Sequence, residues 1–114
     1  EGGMVMGMGY ALMEDTIIEG GKTLTPNFST YIIPTSIDAP DMDTVACEVL
    51  EPSGPYGAKG VGEAVMVPIA PAIAIGIDRA VGARVTHAPA TSERVFHAMR
   101  NRDGGRGAEE GSTA

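Results

Sequence analysis

The segment SGPYGAKGVGEAVMVP, Ser53–Pro68, concentrates the residue types that could do chemistry in this sequence. Three glycines, one lysine and one glutamate fall within Gly57–Glu63, between two apolar segments. A loop of this composition can cradle a phosphate, form a tight structural turn, or present a single reactive carboxylate. The spacing of its glycines and the surroundings of Glu63 decide among these three hypotheses.

The common phosphate-binding motifs do not fit this spacing. A P-loop requires Gly-Lys-Ser/Thr after four intervening residues, whereas Lys59 here precedes its glycine. A dinucleotide-binding fingerprint would take Gly60 and Gly62 as its first two glycines, but Val65 stands where the third is needed. The fingerprint also needs a tight turn after a strand, and here a Pro- and Gly-rich loop intervenes.

Glu63 closes the glycine-rich loop and precedes the long apolar run Ala64–Ile77. Partial desolvation at such a boundary favours a base that works near neutral pH. The start of a helix close by would instead favour the anion. From the residues alone, a structural Glu63, as a helix cap or a partner of Lys59, is favoured over a catalytic one.

Composition limits the class of protein. The chain has 114 residues, of which 43% are hydrophobic and 20% charged, as expected of one domain or a piece of one. Sixteen glycines and eight prolines indicate many turns and little independent core. The net charge of −7 disfavours nucleic acid as a partner. The chain opens on Glu1 without a signal-peptide n-region, which predicts a fragment of a longer polypeptide.

The sequence predicts no metal site built from protein side chains. Cys47 is the single cysteine, which excludes an internal disulfide and a cysteine-based zinc or iron–sulfur site. It also favours a cytoplasmic location. His87 and His97 lack a carboxylate spacing typical of metal ligands and are assigned to packing or surface roles. The apolar segments Gly2–Met13 and Ala64–Ile77 are shorter than the roughly 20 residues of a membrane helix, so no span is predicted.

The first segment, Gly2–Asp15, has helical spacing. One row of its residues is apolar: Met4, Met8 and Leu12. A second row is small: Gly3, Gly7 and Ala11. Such a row lets another part of the chain approach closely, which can offset the cost of about 0.5–1 kcal/mol for each glycine in a helix. We predict a buried packing helix, with a ligand at its glycine-rich end as the alternative.

Extended structure is predicted in the middle of the chain. Thr16–Leu24 carries two β-prone pieces around Gly20-Gly21, which predicts a hairpin. Pro26–Met42 is punctuated by prolines and predicts a surface loop. Asp43–Glu51 alternates apolar and other residues, which predicts a strand.

Two further helices complete the predicted fold. Ala72–Val81, with Pro71 in the first turn and Gly82 as the stop, predicts a helix buried nearly all round. A short strand is predicted in Ala83–Pro89. A last helix is predicted to begin at Thr91 or Ser92, either of which can cap it. Three of its side chains are predicted to face inward: Val95, Phe96 and Met99. The fold class is α+β, helices packed on a mixed sheet, in residues 1–100, with a disordered tail in 101–114.

Four segments, in this order, resemble the C-terminal part of the molybdenum-binding subunit of the molybdenum hydroxylases, the xanthine dehydrogenase and aldehyde oxidoreductase family. They are EGGMVMGMGYALMED, NFSTYIIPTSIDAPD, GPYGAKGVGE and TSERVFHAM, and together they span Glu1 to about Met99. Each segment alone is weak evidence for the family. Their order and the string Gly-Ala-Lys-Gly-Val-Gly-Glu make the resemblance specific, and it reverses the preference for a structural Glu63.

The resemblance implies an active site. Glu63 would be the general base that takes a proton from a molybdenum-bound hydroxide, whose oxygen then attacks a carbon of an N-heterocycle, a purine or an aldehyde. Lys59, Gly60, Val61 and Gly62 would lie against the molybdopterin cofactor. Pterin sulfurs would hold the metal in place of protein side chains. Electrons would leave through iron–sulfur clusters to FAD or another acceptor elsewhere in the complex.

The resemblance also implies partners: the rest of the molybdenum subunit, iron–sulfur and FAD subunits or domains, and a small-molecule substrate. The glutamine that commonly precedes Glu1 in the family lies outside this sequence, so the isolated chain is expected to be inactive. Gly-Ala-Lys in place of Ser-Lys favours a bacterial-type enzyme. The substrate and the form of the pterin, including the cytosine dinucleotide form, stay open. The alternatives are a non-catalytic packing or assembly module and a free-standing nucleotide-binding domain.

Overall fold

The computed structural model describes residues 1–110, with side chains through Arg102. Over this range the chain forms three α-helices, one antiparallel hairpin and two short 3₁₀ helices. The helices and strands are α1 Gly2–Leu12, β1 Ile18–Glu19, β2 Lys22–Thr23, the 3₁₀ helices Pro55–Gly57 and Glu63–Met66, α2 Ile69–Val81 and α3 Ser92–Glu110. Helices and a small sheet are compatible with the α+β class. The predicted mixed sheet is not found within residues 1–110.

The hairpin forms where the sequence predicts it. Ile18 pairs with Thr23, and Glu19 pairs with Lys22. The two turn residues between them, Gly20 and Gly21, both have positive φ, at 56° and 77°. Two consecutive left-handed residues match the right-handed twist of the strands, and glycine adopts this conformation without steric cost.

The small residues of α1 form its packing face, as predicted. A Cβ built on Gly7 would lie 2.7 Å from Cβ of Ile69, at the start of α2. Gly3 meets Val65 of the Glu63–Met66 helix in the same way. Ala11 is buried at the other end of the row. The absence of side chains along this row therefore lets α2 and the Glu63–Met66 helix approach the backbone of α1.

Helix α2 begins at Ile69, earlier than predicted, and ends at Val81 as predicted. Gly82 caps it in the left-handed conformation, with φ 63°, and donates its N–H to the carbonyl of Asp78 at 2.7 Å. The predicted burial on all sides is wrong, because no residue of α2 is buried and Ile75 is 54% exposed. Within the described chain, α1 packs on one side of α2, and the irregular segment 84–90 lines cavities beside another.

The segment Glu63–Val81 is long and apolar enough to cross a membrane by length and composition. A buried core helix of a soluble protein passes the same test, but none of this window is buried among the described residues. The segment is also not one continuous α-helix, since the Glu63–Met66 helix and α2 are separate elements joined through Val67 and Pro68.

Two predicted strands are absent. Residues Asp43–Glu51 have no regular structure, and Val45 and Val49 are exposed. Ala83–Pro89 is also irregular, although Ala83 is fully buried. A strand is stabilised by the neighbour with which it pairs, and no segment among the described residues pairs with either one.

The last helix begins at the predicted cap. Thr91 Oγ1 accepts a hydrogen bond from the backbone N–H of Arg94 at 3.3 Å, a typical N-cap arrangement. The predicted inward orientation of Phe96 is wrong, since this side chain is 56% exposed; the other two predicted inward residues are half-buried. The backbone stays helical past Met99 to Glu110. The tail predicted for 101–114 stays a prediction, and its last four residues lie outside the described residues.

Candidate functional site

The four residues predicted to contact a cofactor lie together on one exposed loop. Lys59, Gly60, Val61 and Gly62 form an irregular connection between the two 3₁₀ helices, and each of them is exposed. The loop ends directly at Glu63, the first residue of the second 3₁₀ helix. The structure therefore presents a continuous stretch of open main chain next to one carboxylate.

The packing of the described chain does not itself require glycine at positions 60 and 62. No atom lies within 4 Å of a Cβ built on Gly60 or Gly62, and neither residue has a positive φ. Gly57 differs, since its φ is 74° and a Cβ there would lie 2.6 Å from Leu50 Cδ2. A need for glycine at 60 and 62 would come from a group outside this chain. An open glycine-rich main chain fits a bulky cofactor that lies against the loop.

Glu63 has none of the structural partners that would explain it as a fold-stabilising residue. Its side chain is exposed, and it makes no side-chain cap on the Glu63–Met66 helix. Among the described residues, neither Glu63 nor Lys59 takes part in an ion pair or side-chain hydrogen bond. The carboxylate is thus available to a group outside the chain.

Helix α1 supports the element that carries Glu63. Val65, in the Glu63–Met66 helix, packs on Gly3, and Ile69 packs on Gly7 one turn further along α1. The N–H of Val67 donates to the carbonyl of Ala64 at 3.3 Å, which closes the last turn before α2. The position of Glu63 therefore depends on how closely its short helix packs on α1.

The C-terminal end of α1 is held by residues from two distant segments. The Tyr31 hydroxyl donates to Glu14 Oε2 at 2.6 Å, and this hydrogen bond holds the pKa of Tyr31 above its ordinary value of 10.0. Arg94 Nη2 donates to Asp15 Oδ2 at 2.9 Å and Nη1 donates to the carbonyl of Pro89 at 2.8 Å. Asp15 and Arg94 are 79 positions apart, so no local spacing in the sequence indicates their pairing.

The loop that contains Tyr31 also packs on α1. A Cβ on Gly9 would lie 2.6 Å from Cδ of Pro34, so glycine is needed there for the loop to pack. The next turn is closed by Asp38, whose Oδ2 accepts from the hydroxyl of Thr35 at 2.7 Å and from its N–H at 2.8 Å. Both hydrogen bonds hold the pKa of Asp38 below its ordinary value of 3.8, and the bond from the hydroxyl has the larger effect.

The two histidines lie together without forming a metal site. His87 and His97 line one cavity of about 330 Å³ with Arg84 and Arg94. The Nδ1 atom of His87 lies 3.0 Å from the Thr86 hydroxyl. The Nε2 atom of His97 lies 3.8 Å from Oε1 of Glu93, one turn earlier in the same helix. Within the described range, no three His, Cys, Asp or Glu side chains are grouped so that they could hold a metal ion.

A family model described as a molybdopterin cofactor-binding domain matches residues 1–40. This match covers α1, the hairpin and the loop that packs on α1. It ends before the Lys59–Glu63 segment.

Similarity to curated proteins extends over most of the chain. The sequence is 37% identical over 97 residues to a xanthine dehydrogenase molybdenum-binding subunit of Escherichia coli O157:H7. The aligned region covers 83% of this chain and 13% of that protein. It is 34% identical over 98 residues to the aldehyde oxidoreductase molybdenum-binding subunit PaoC of Escherichia coli K12, with 83% and 13% covered. The chain therefore spans about an eighth of the length of these relatives.

The fold is similar to part of a solved structure. The crystal structure of quinoline 2-oxidoreductase from Pseudomonas putida 86 superposes with a TM-score of 0.79 at 29% identity, over 87% of this chain and 13% of the other. The irregular middle of the chain and its open helix faces are therefore compatible with a segment that packs inside a larger protein.

Proposed function

Because this chain belongs to the xanthine dehydrogenase and aldehyde oxidoreductase family of molybdenum hydroxylases, we propose that it supplies the general base, Glu63, to the active site of a molybdenum-binding subunit. One observation carries the proposal. Glu63 is an exposed carboxylate without a described partner, at the end of a loop whose glycines the chain's own packing does not require.

The loop and the carboxylate have separate roles in this proposal. The main chain of Lys59–Gly62 lies against the molybdopterin, and its N–H groups can donate to it because no side chain shields Gly60 or Gly62. When bound, the cofactor would supply a redox-active metal that takes up the two electrons released as the substrate's carbon–hydrogen bond breaks, and the hydrogen of that bond leaves as the second proton. Glu63 takes the proton from the water-derived oxygen that attacks this carbon. A carboxylate without an internal partner is free to make this contact.

The names of the relatives support the substrate classes of this proposal. An N-heterocycle, a purine or an aldehyde each offers an electrophilic carbon that a water-derived oxygen can attack. The iron–sulfur and FAD partners and the cytoplasmic location are part of the same proposal, which does not choose between the cytosine dinucleotide form and other forms of the pterin. Rates of the complete enzyme with one compound of each class would rank the three substrates.

The test is Glu63→Gln in the complete molybdenum-binding subunit, assembled with its partners. General-base catalysis contributes about 10²–10⁴-fold, so kcat should fall by at least about a hundredfold while molybdenum content per subunit stays unchanged. Glu48→Gln is the matched control, since Glu48 is another exposed carboxylate, in the irregular segment Asp43–Glu51. Wild-type turnover by a fully loaded Glu63→Gln enzyme would remove Glu63 from the mechanism.

A second candidate is a packing or assembly module in which Glu63 has a structural role. Large exposed apolar side chains favour it, among them Ile37 at 92% and Leu50 at 80% exposure. Surfaces of this kind are covered in a stable protein. Under this hypothesis Glu63→Gln lowers the yield or thermal stability of the assembled enzyme and leaves the rate per loaded site unchanged.

A further inference from the structure

Gly3 of α1 lies directly against Val65 of the Glu63–Met66 helix. A Cβ built on Gly3 would lie far closer to Val65 Cγ2 than van der Waals contact allows. Val65 Cβ lies 3.7 Å from the same point, so the Cγ2 methyl group is the part of Val65 that clashes. Valine is stiff at χ1, so a rotation of its side chain cannot easily relieve such a clash. Any side chain at position 3 would therefore push the short helix away from α1.

A displacement of Val65 would be passed on to Glu63. Both residues belong to one helix of four residues, Glu63–Met66, which leads through Val67 and Pro68 into α2. The second contact, Gly7 against Ile69 with 2.7 Å between the added Cβ and the Ile69 Cβ, holds the beginning of α2. A side chain added at position 3, with Gly7 unchanged, would therefore displace Glu63 more than it displaces the beginning of α2.

We propose that Gly3 is a positioning residue for Glu63, acting through Val65. The missing side chain at position 3 sets the distance between the Glu63–Met66 helix and α1, and hence the point at which the carboxylate meets the reacting oxygen. This inference rests on the proposed role of Glu63. It adds that the glycine-rich helix at the start of the chain belongs to the geometry of the active site as well as to the packing.

The test is Gly3→Ala in the complete, assembled enzyme. A shift of about 1 Å in a catalytic group can cost about a hundredfold in rate, so kcat per molybdenum should fall by roughly 10–100-fold, with a much smaller change in KM. The double variant Gly3→Ala/Val65→Ala, which removes the clashing methyl group, should recover kcat to within about threefold of wild type. Molybdenum content and the melting temperature are measured on every variant.

Gly2→Ala is the matched control. Gly2 is the neighbouring glycine of α1, and a Cβ there meets nothing within 4 Å. This variant should keep wild-type kcat, KM and molybdenum content. A merely structural Gly3 would give a different pattern: Gly3→Ala would lower the melting temperature or the yield and leave kcat per molybdenum unchanged.

Three results overturn the inference: wild-type kcat in Gly3→Ala, no recovery in the double variant, or an equal loss in Gly2→Ala. If Gly3→Ala alone does not assemble, the double variant Gly3→Ala/Val65→Ala decides. A double variant that assembles and has near-wild-type kcat supports the clash between positions 3 and 65. A double variant that does not assemble contradicts it. Glu63→Gln separates this inference from the proposed function. An inactive Glu63→Gln beside a fully active Gly3→Ala refutes only the positioning role, whereas an active Glu63→Gln refutes the base itself.

Discussion

Arg94 of α3 forms an ion pair with Asp15, just beyond the end of α1, with 2.9 Å between Nη2 and Oδ2. The side chains are 40% and 38% exposed, so water screens the charges, and such a pair contributes only about 0.2–1 kcal/mol. Arg94 also donates to the carbonyl of Pro89. One guanidinium thus joins the beginning of α3, the loop before it and the end of α1.

Arg94→Ala should lower the free energy of unfolding by about 1–2 kcal/mol, because it removes the ion pair and a hydrogen bond worth about 1 kcal/mol. Denaturant unfolding of the complete subunit measures the loss. Arg84→Ala is the control, since Arg84 is exposed and lies in no described ion pair. A double-mutant cycle with Asp15→Asn isolates the ion pair, and additive effects of the two variants would contradict direct coupling.

The turn closed by Thr35 and Asp38 should lose stability in acid. The hydrogen bonds from Thr35 lower the pKa of Asp38 in the folded state, so the stabilisation is complete above its ordinary value of 3.8 and disappears as the pH falls through the lowered value. Unfolding of wild type and Asp38→Asn, followed from pH 6 downward, should give curves that converge at the acid end. Parallel curves would mean that the Asp38 carboxylate contributes no such stabilisation.

Gly60→Ala should separate cofactor binding from folding. A Cβ at this position meets no atom of the described residues within 4 Å, so the melting temperature of the cofactor-free subunit should stay within experimental error. If the main chain lies against the cofactor, the added methyl group should lower the molybdenum content or kcat by tenfold or more, since close packing leaves no room for it. The control is the equally open Gly2→Ala. Normal loading and turnover of Gly60→Ala would contradict close contact.

Gly82→Ala should destabilise the end of α2. Gly82 has a φ of 63°, a conformation that costs roughly 1–2 kcal/mol for a residue with a Cβ. The Cβ would also lie 2.9 Å from Nη1 of Arg102. Thermal unfolding of the complete subunit should show the loss, and Gly82→Asn should lose less, since asparagine tolerates left-handed φ better. Equal effects of Ala and Asn would show that crowding, and not φ, sets the cost.

Features that depend on local backbone preferences were predictable from the sequence. The turn at Gly20-Gly21 and the end of α2 at Gly82 follow from the ease with which glycine adopts positive φ. The row of small residues in α1 likewise indicated a close approach before its partner was known. The order of the four family-like segments pointed to the family that the relatives support.

Features that depend on distant partners needed the tertiary structure. Asp43–Glu51 alternates like a strand but has no neighbour to pair with among the described residues, and α2 is open where the sequence predicted burial. The sequence by itself determined which residues have small or absent side chains and where Glu63, the only carboxylate of the segment Ser53–Pro68, stands. Only the tertiary structure decided that Gly3 meets Val65, because contact energies depend on which surfaces meet in space and not on spacing along the chain.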